Sequence, residues 1–60
     1  LNEEETAIVT LLQKVPDGLQ INTLIVETNI PVHKMSALLF ELEMKGVIRT
    51  LAGGVYRLII

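Results

Sequence analysis

The sequence has no cysteine and no tryptophan, and Phe40 and Tyr56 are its only aromatic residues. Without cysteine the chain forms neither disulfides nor thiolate metal sites, and nothing indicates an oxidising compartment. No apolar run approaches the ~20 residues of a membrane-spanning helix, and no signal-peptide pattern is present. We therefore expect a cytoplasmic protein that makes no contact with a membrane.

Positive charge is also scarce. The chain has five lysines and arginines and seven acidic residues, which gives a net charge of −2. A module that binds nucleic acid alone is normally basic, because phosphate neutralisation supplies most of the affinity. The charges are uneven, however, since Glu3, Glu4 and Glu5 open the chain and Arg49 and Arg57 lie near its end. The composition argues against DNA binding as the main activity and leaves a local basic patch open.

Apolar residues make up 50% of the 60 residues, which is enough for one small hydrophobic core. We expect a single domain over residues 1–60. The chain begins at Leu1 rather than methionine, so we expect it to be part of a longer protein.

The first third of the chain predicts a helix followed by a short strand. Apolar residues at helical spacing predict the helix from Glu3 to Lys14. Asn2 and Glu5 have the spacing of a capping box. "VPDG" at 15–18 has turn chemistry, and "LQI" at 19–21 is long enough only for a brief strand.

Two further helices follow. Asn22 is a suitable N-cap for the second helix, and Asn29 is suited to end it in the left-handed conformation. Pro31 favours the entry to a third helix over Val32–Lys45, with Gly46 directly after it. The residues expected to face the core are Leu24, Ile25, Val32, Met35, Leu38, Leu39 and Leu42.

Residues 47–51 and 55–60 predict two strands joined at Gly53 and Gly54 as a two-residue hairpin turn. Such a turn pairs Leu51 with Tyr56 and places Arg49 and Arg57 on opposite faces, although a slip of one residue would change this. The predicted fold is mainly α with a small β-hairpin wing, a winged helix-turn-helix of three helices, a short strand and a two-stranded wing.

The end of the third helix and the wing share a pattern with a known family. The pattern is leucine-glutamate-x-x-glycine, two apolar residues and arginine, then leucine-x-glycine-glycine-x-tyrosine. Its residues here are Leu42, Glu43, Gly46, Val47, Ile48, Arg49, Leu51, Gly53, Gly54, Tyr56 and Arg57. The layout of the preceding residues agrees as well. The chain thus resembles the C-terminal winged-helix domain of the DprA (Smf) family of DNA-processing proteins.

This resemblance implies a role in bacterial natural transformation, where the family protects incoming single-stranded DNA and helps to load the RecA recombinase. The family's main DNA-binding and self-association surface is a Rossmann-like domain, which is absent here, so the winged helix would be an accessory part. Two positions depart from the family pattern. Ala52 replaces an expected proline, and Val55 replaces a frequent basic residue, which removes charge from the wing tip.

The outward face of the third helix is the first candidate site. His33, Ala37, Phe40 and Met44 are spaced four, three and four, so they form one stripe, called here the outer stripe. An exposed stripe with three apolar members favours a protein partner, such as a recombinase or a second copy of the chain. The alternative is that Phe40 folds back and completes the core.

The second candidate site is basic. Weak, sequence-independent DNA binding remains the alternative function, and its candidate residues are Lys34, Ser36, Lys45, Arg49 and Arg57. Glu41 on the third helix would be repelled by phosphate, and the arginines are equally consistent with solvated strand positions. An operator-reading transcriptional regulator is a further alternative, but it would need more polar side chains on that helix.

Chemistry at a catalytic or metal site has no support in the sequence. His33 is the only histidine, and no cysteine accompanies it as a metal ligand. No histidine–carboxylate pair is arranged to activate a hydroxyl, and "AGGV" lacks the lysine of a phosphate loop. We expect no enzyme activity, no cofactor and no small-molecule substrate. The working hypothesis is an accessory interaction module, with DNA reached through the full-length protein.

Overall fold

Three helices pack against a three-stranded antiparallel sheet in the computed structural model, which describes residues 2–59. The elements, in chain order, are α1 (Glu3–Gln13), β1 (Leu19–Gln20), α2 (Ile21–Thr28), α3 (Val32–Met44), β2 (Ile48–Leu51) and β3 (Val55–Leu58). This order confirms the predicted winged helix-turn-helix. No helix within the described part of the chain is both long and apolar enough to cross a membrane.

The start of α1 is fixed by the predicted capping box. The N–H of Glu5 donates to Oδ1 of Asn2 over 2.8 Å, and the N–H of Asn2 donates to Oε1 of Glu5 over 3.1 Å. The two bonds satisfy backbone donors that the first turn leaves without helical partners. Lys14 caps the other end, so α1 ends one residue earlier than predicted.

The predicted start of α2 was wrong, whereas its predicted end was confirmed. Asn22 is not the N-cap, because α2 begins at Ile21 directly after the strand and Gln20 takes the cap position without a side-chain bond. The N–H of Ile21 instead donates to the carbonyl of Gly54 in the wing turn, over 3.2 Å. Asn29 does end the helix with φ of 62°, and its N–H donates to the carbonyl of Ile25 over 2.8 Å.

The end of α3 is a Schellman motif around Gly46, which has φ of +77°. The N–H of Gly46 donates to the carbonyl of Glu43, and the N–H of Val47 donates to the carbonyl of Leu42, each over 3.0 Å. Glycine suits this position because a left-handed backbone carries no steric penalty there. The motif turns the chain directly from α3 into β2.

The wing register differs by one residue from the predicted one. The strand order is β1-β3-β2, and Leu51 pairs with Val55 while Arg49 pairs with Arg57. Gly53 and Gly54 both adopt positive φ, 82° and 73°, but the turn also includes Ala52 and so has three residues. The prediction that Arg49 and Arg57 lie on opposite faces is therefore wrong, because paired residues share a face.

The core lies between the helices and one face of the sheet. Val32 is an exception to the predicted set, since 55% of it is exposed; Ile30, in the turn before α3, occupies the core at this end instead. Ile25 is half-buried against the core, as are Tyr56 and Leu58 of β3. Ile59 is exposed, and Ile60 lies outside the described residues. The buried apolar residues are Ile8, Leu12, Leu24, Ile30, Met35, Leu38, Leu39, Leu42 and Ile48.

Candidate interaction surfaces

The outer stripe lies on the side of α3 that faces solvent. His33, Ala37, Phe40 and Met44 are all exposed, and the exposed fractions of Phe40 and Met44 are 62% and 67%. The alternative that Phe40 completes the core is therefore wrong. The inward side of α3 is already filled by its four buried residues, which leaves no place for the phenyl ring.

Val26 on α2 is a further exposed apolar residue, with 76% of its surface accessible, and sequence reasoning did not single it out. The signal was present, because Val26 follows the buried Leu24 by two positions. Residues two apart on a helix point to nearly opposite sides, since a turn takes about 3.6 residues. Val26 stands outside the outer stripe and is useful as a reference residue.

Two of the five DNA-binding candidates form ion pairs with α1. Nζ of Lys34 lies 3.1 Å from Oε2 of Glu4, and Nζ of Lys45 lies 3.2 Å from Oε2 of Glu5. A lysine held by a glutamate offers less net attraction to phosphate than a free one. Ser36 is exposed on α3 and remains accessible.

Glu5 is a buried charged residue, with 2% of its surface exposed. The bond from the N–H of Asn2 holds the pKa of its carboxyl below the ordinary value, burial opposes this, and the ammonium of Lys45 lowers the pKa further. Lys45 thereby joins the end of α3 to the start of α1. Its role is structural cross-linking of the two helices, which competes with DNA contact.

Arg49 and Arg57 are brought together on the exposed face of the sheet. Ile48 is fully buried and Leu58 packs on the core, so these neighbours point toward the helices. The arginines alternate with them and point away. The ion pairs formed within residues 2–59 involve Lys34 and Lys45 and neither arginine.

A cleft of about 630 Å³ lies between the start of α1 and the turn before α3. Its lining includes Glu3, Glu4, Thr28 and Asn29 and is open to solvent. Neither a histidine nor a lysine lines it to serve as a base. Within residues 2–59 no three histidine, aspartate or glutamate side chains are grouped to hold a metal ion.

Comparison with known proteins gives one family. A family model described as the DprA winged helix domain matches residues 1–54 of the 60. Neither the curated proteins nor the solved structures gave a match.

Proposed function

The chain belongs to the DprA winged helix domain family, and from this premise we propose that it is an accessory protein-interaction module of a DNA-processing protein. In this proposal the domain lies at the C-terminus of a longer protein that acts in DNA uptake during natural transformation. The outer stripe positions that protein on a partner, which is a recombinase or a second copy of the same chain.

The exposure of Phe40 is the observation that supports the proposal most. A phenylalanine that is 62% exposed leaves apolar surface in water, and burying such a side chain fully yields about 1.5–3 kcal/mol. Met44 lies one helical turn further along the same stripe and is 67% exposed. Aromatic residues and methionine are enriched at the centres of protein interfaces.

DNA binding is the second candidate, and the shared face of Arg49 and Arg57 favours it. Lys34 and Lys45 count against it, because each would have to leave a glutamate before it could neutralise a phosphate. The net charge of −2 also repels a polyanion. We therefore rank DNA contact by this domain below the protein-interaction function.

The proposal is tested by titrating the ¹⁵N-labelled chain with the RecA recombinase, and by sedimentation of the chain alone over a dilution series for self-association. If the partner is the recombinase, we expect its addition to shift the amides of Ala37, Phe40 and Met44. If the partner is a second copy, we expect the sedimentation coefficient of the chain to rise with its concentration. Phe40→Ala should weaken that association by about tenfold or more, as truncation of an interface anchor does. Val26→Ala is the matched control, because it removes exposed apolar surface outside the outer stripe.

The competing function is tested with short single-stranded and duplex DNA at low and high salt. Shifts at Ser36, Arg49 and Arg57 that fade as salt rises would indicate phosphate contact. The proposal would be overturned in favour of DNA binding if these shifts appeared while two other results were negative. The recombinase would cause no amide shifts in the outer stripe, and the chain alone would not self-associate.

A further inference from the structure

A second surface of the wing, separate from the outer stripe, combines positive charge with apolar side chains. It is the sheet face that points away from the helices, and we call it the outer wing face. Its strand residues are Arg49, Leu51, Val55 and Arg57, with Gln20 of β1 beside Val55, and Ile59 follows directly after β3.

The two arginines form the centre of the outer wing face. They are direct cross-strand partners, and the β-carbons of such partners are about 4.5–5.5 Å apart. Like charges at this distance repel each other, and the ion pairs within residues 2–59 leave both arginines out. Each guanidinium carries five N–H donors and no acceptor. The pair is therefore arranged to receive an anion.

Apolar residues flank the arginines along the strands. The half-buried pair Leu51 and Val55 lies toward the wing turn, and Ile59 lies at the other end with 55% of its surface exposed. Residues two apart on a strand share a face at a spacing of about 6.8 Å. The outer wing face thus presents the order apolar, cationic, apolar.

Gly18 lies beside Arg57 and has no side chain to cover it. Gly18 lies beside β3 with φ of +92°, and a β-carbon there would be 3.0 Å from Cβ of Arg57 and 2.5 Å from the carbonyl oxygen of Tyr56. The position therefore requires glycine. As a result, no side chain from residue 18 covers Arg57.

We propose that the outer wing face binds an acidic segment of a partner protein, with a carboxylate on Arg49 and Arg57 and apolar side chains on either side of it. A carboxylate matches the planar donor fork of arginine. An extended segment with the order apolar, acidic, apolar at every second residue matches the spacing of the face. This inference is independent of the outer stripe and of the proposed function.

A nucleic acid fits this face less well than an acidic peptide. Successive phosphates of a strand each need a cation, but the positions next to the arginines are the apolar Leu51, Val55 and Ile59. Affinity for a polyanion would also be opposed by the acidic net charge of the chain.

The probe for the test is a capped pentapeptide, Leu-Ser-Glu-Ser-Leu, which when extended presents leucine, glutamate and leucine on one face. It is titrated into the ¹⁵N-labelled chain while the guanidinium Nε–H signals of Arg49 and Arg57 are followed. The matched peptide Leu-Ser-Gln-Ser-Leu lacks only the charge. Inorganic phosphate and an oligothymidine are titrated separately, because they report phosphate binding.

We expect the glutamate peptide to shift both guanidinium signals, and the glutamine peptide to bind more weakly. Arg49→Gln and Arg57→Gln should each weaken binding by about fivefold, which is the value of one favourable exposed ion pair. Lys14→Gln removes the same charge from an exposed residue outside the sheet and should change nothing. Phe40→Ala should leave peptide binding unchanged, which separates this test from that of the outer stripe.

Three outcomes would overturn the inference. Equal binding of the glutamine peptide would show that the arginines contribute nothing. Tighter binding of oligothymidine or phosphate would make the pair a phosphate site. No shift with the glutamate peptide up to ~10 mM would mean that the dissociation constant lies well above this concentration, which is too weak for a docking site. Each variant's amide spectrum is recorded first, so that a loss of fold is not mistaken for a loss of binding.

Discussion

Arg49 and Arg57 lie directly opposite each other on β2 and β3. Like charges in a cross-strand pair are destabilising, whereas opposite charges contribute roughly 0.2–1 kcal/mol. Arg49→Glu should therefore raise the free energy of unfolding by about 0.5 kcal/mol, because it replaces a repulsion with an ion pair. Urea unfolding at low salt measures this change.

The control for that variant is Arg49→Gln, which removes the repulsion without adding an attraction and should give a smaller gain. High salt should reduce the differences between the three proteins, because exposed charges are screened. A less stable Arg49→Glu protein at low salt would contradict the prediction. In the two-residue turn expected from the sequence, Arg57 would instead face Thr50, and the glutamate would gain nothing.

Local chemistry made most element ends predictable. Asn2, Asn29 and Gly46 act within a few residues of themselves, and each was confirmed. The wing register was wrong because two adjacent glycines tolerate positive φ in turns of two or of three residues. Ala52 has no side-chain feature that tells a strand residue from a turn residue, so the choice depends on the whole sheet.

The candidate surfaces likewise combine features that the sequence predicts with features that depend on tertiary packing. The outer stripe was predictable, because the buried leucines of α3 fix the orientation of the whole helix. The pairing of Lys45 with Glu5 joins residues 40 apart in sequence, and only tertiary packing brings them together. Val32 was placed wrongly for a related reason, since Ile30 from a turn fills the core beside it. Helical spacing carries no information about turn residues.

Met35 and Val32 should respond very differently to truncation, although both were expected to face the core. Met35 is fully buried and Val32 is 55% exposed. Met35→Ala should cost about 2–5 kcal/mol through lost apolar burial and the cavity left behind, whereas Val32→Ala should change stability by about 0.5 kcal/mol or less. Chemical unfolding of the two variants measures both values, and similar costs would contradict the described packing of α3.

Gly18 and Gly46 provide a matched pair for testing backbone strain. Both have positive φ, 92° and 77°. Nothing lies within 4 Å of a β-carbon built on Gly46, whereas one built on Gly18 would lie 2.5 Å from the carbonyl oxygen of Tyr56. Gly46→Ala should cost about 1–2 kcal/mol for the left-handed backbone alone. Gly18→Ala should cost clearly more, and equal thermal midpoints for the two variants would contradict this.

The buried carboxyl of Glu5 should make the domain sensitive to acid. The N–H of Asn2 and the ammonium of Lys45 hold its pKa below the ordinary value of 4.5. A lowered pKa in the folded state means that the unfolded state binds the proton more tightly. The stability contributed by the carboxylate is therefore fully present above pH 4.5 and is lost as pH falls through the lower, folded pKa.

Glu5→Gln tests this directly, because the amide oxygen can still accept the bond from Asn2 while the charge that holds Lys45 is gone. We expect the variant to be less stable than the parent at neutral pH, and the difference to shrink in acid as the parent's carboxylate is protonated. Urea midpoints from neutral pH down into the acid range measure the two curves. Glu3→Gln removes an exposed charge from the same helical turn. This variant should still lose stability in acid as the parent does. A Glu5→Gln curve parallel to the parent's at every pH would mean that burial cancels the effect of both bonds on the pKa, so that Glu5 contributes nothing to the pH dependence.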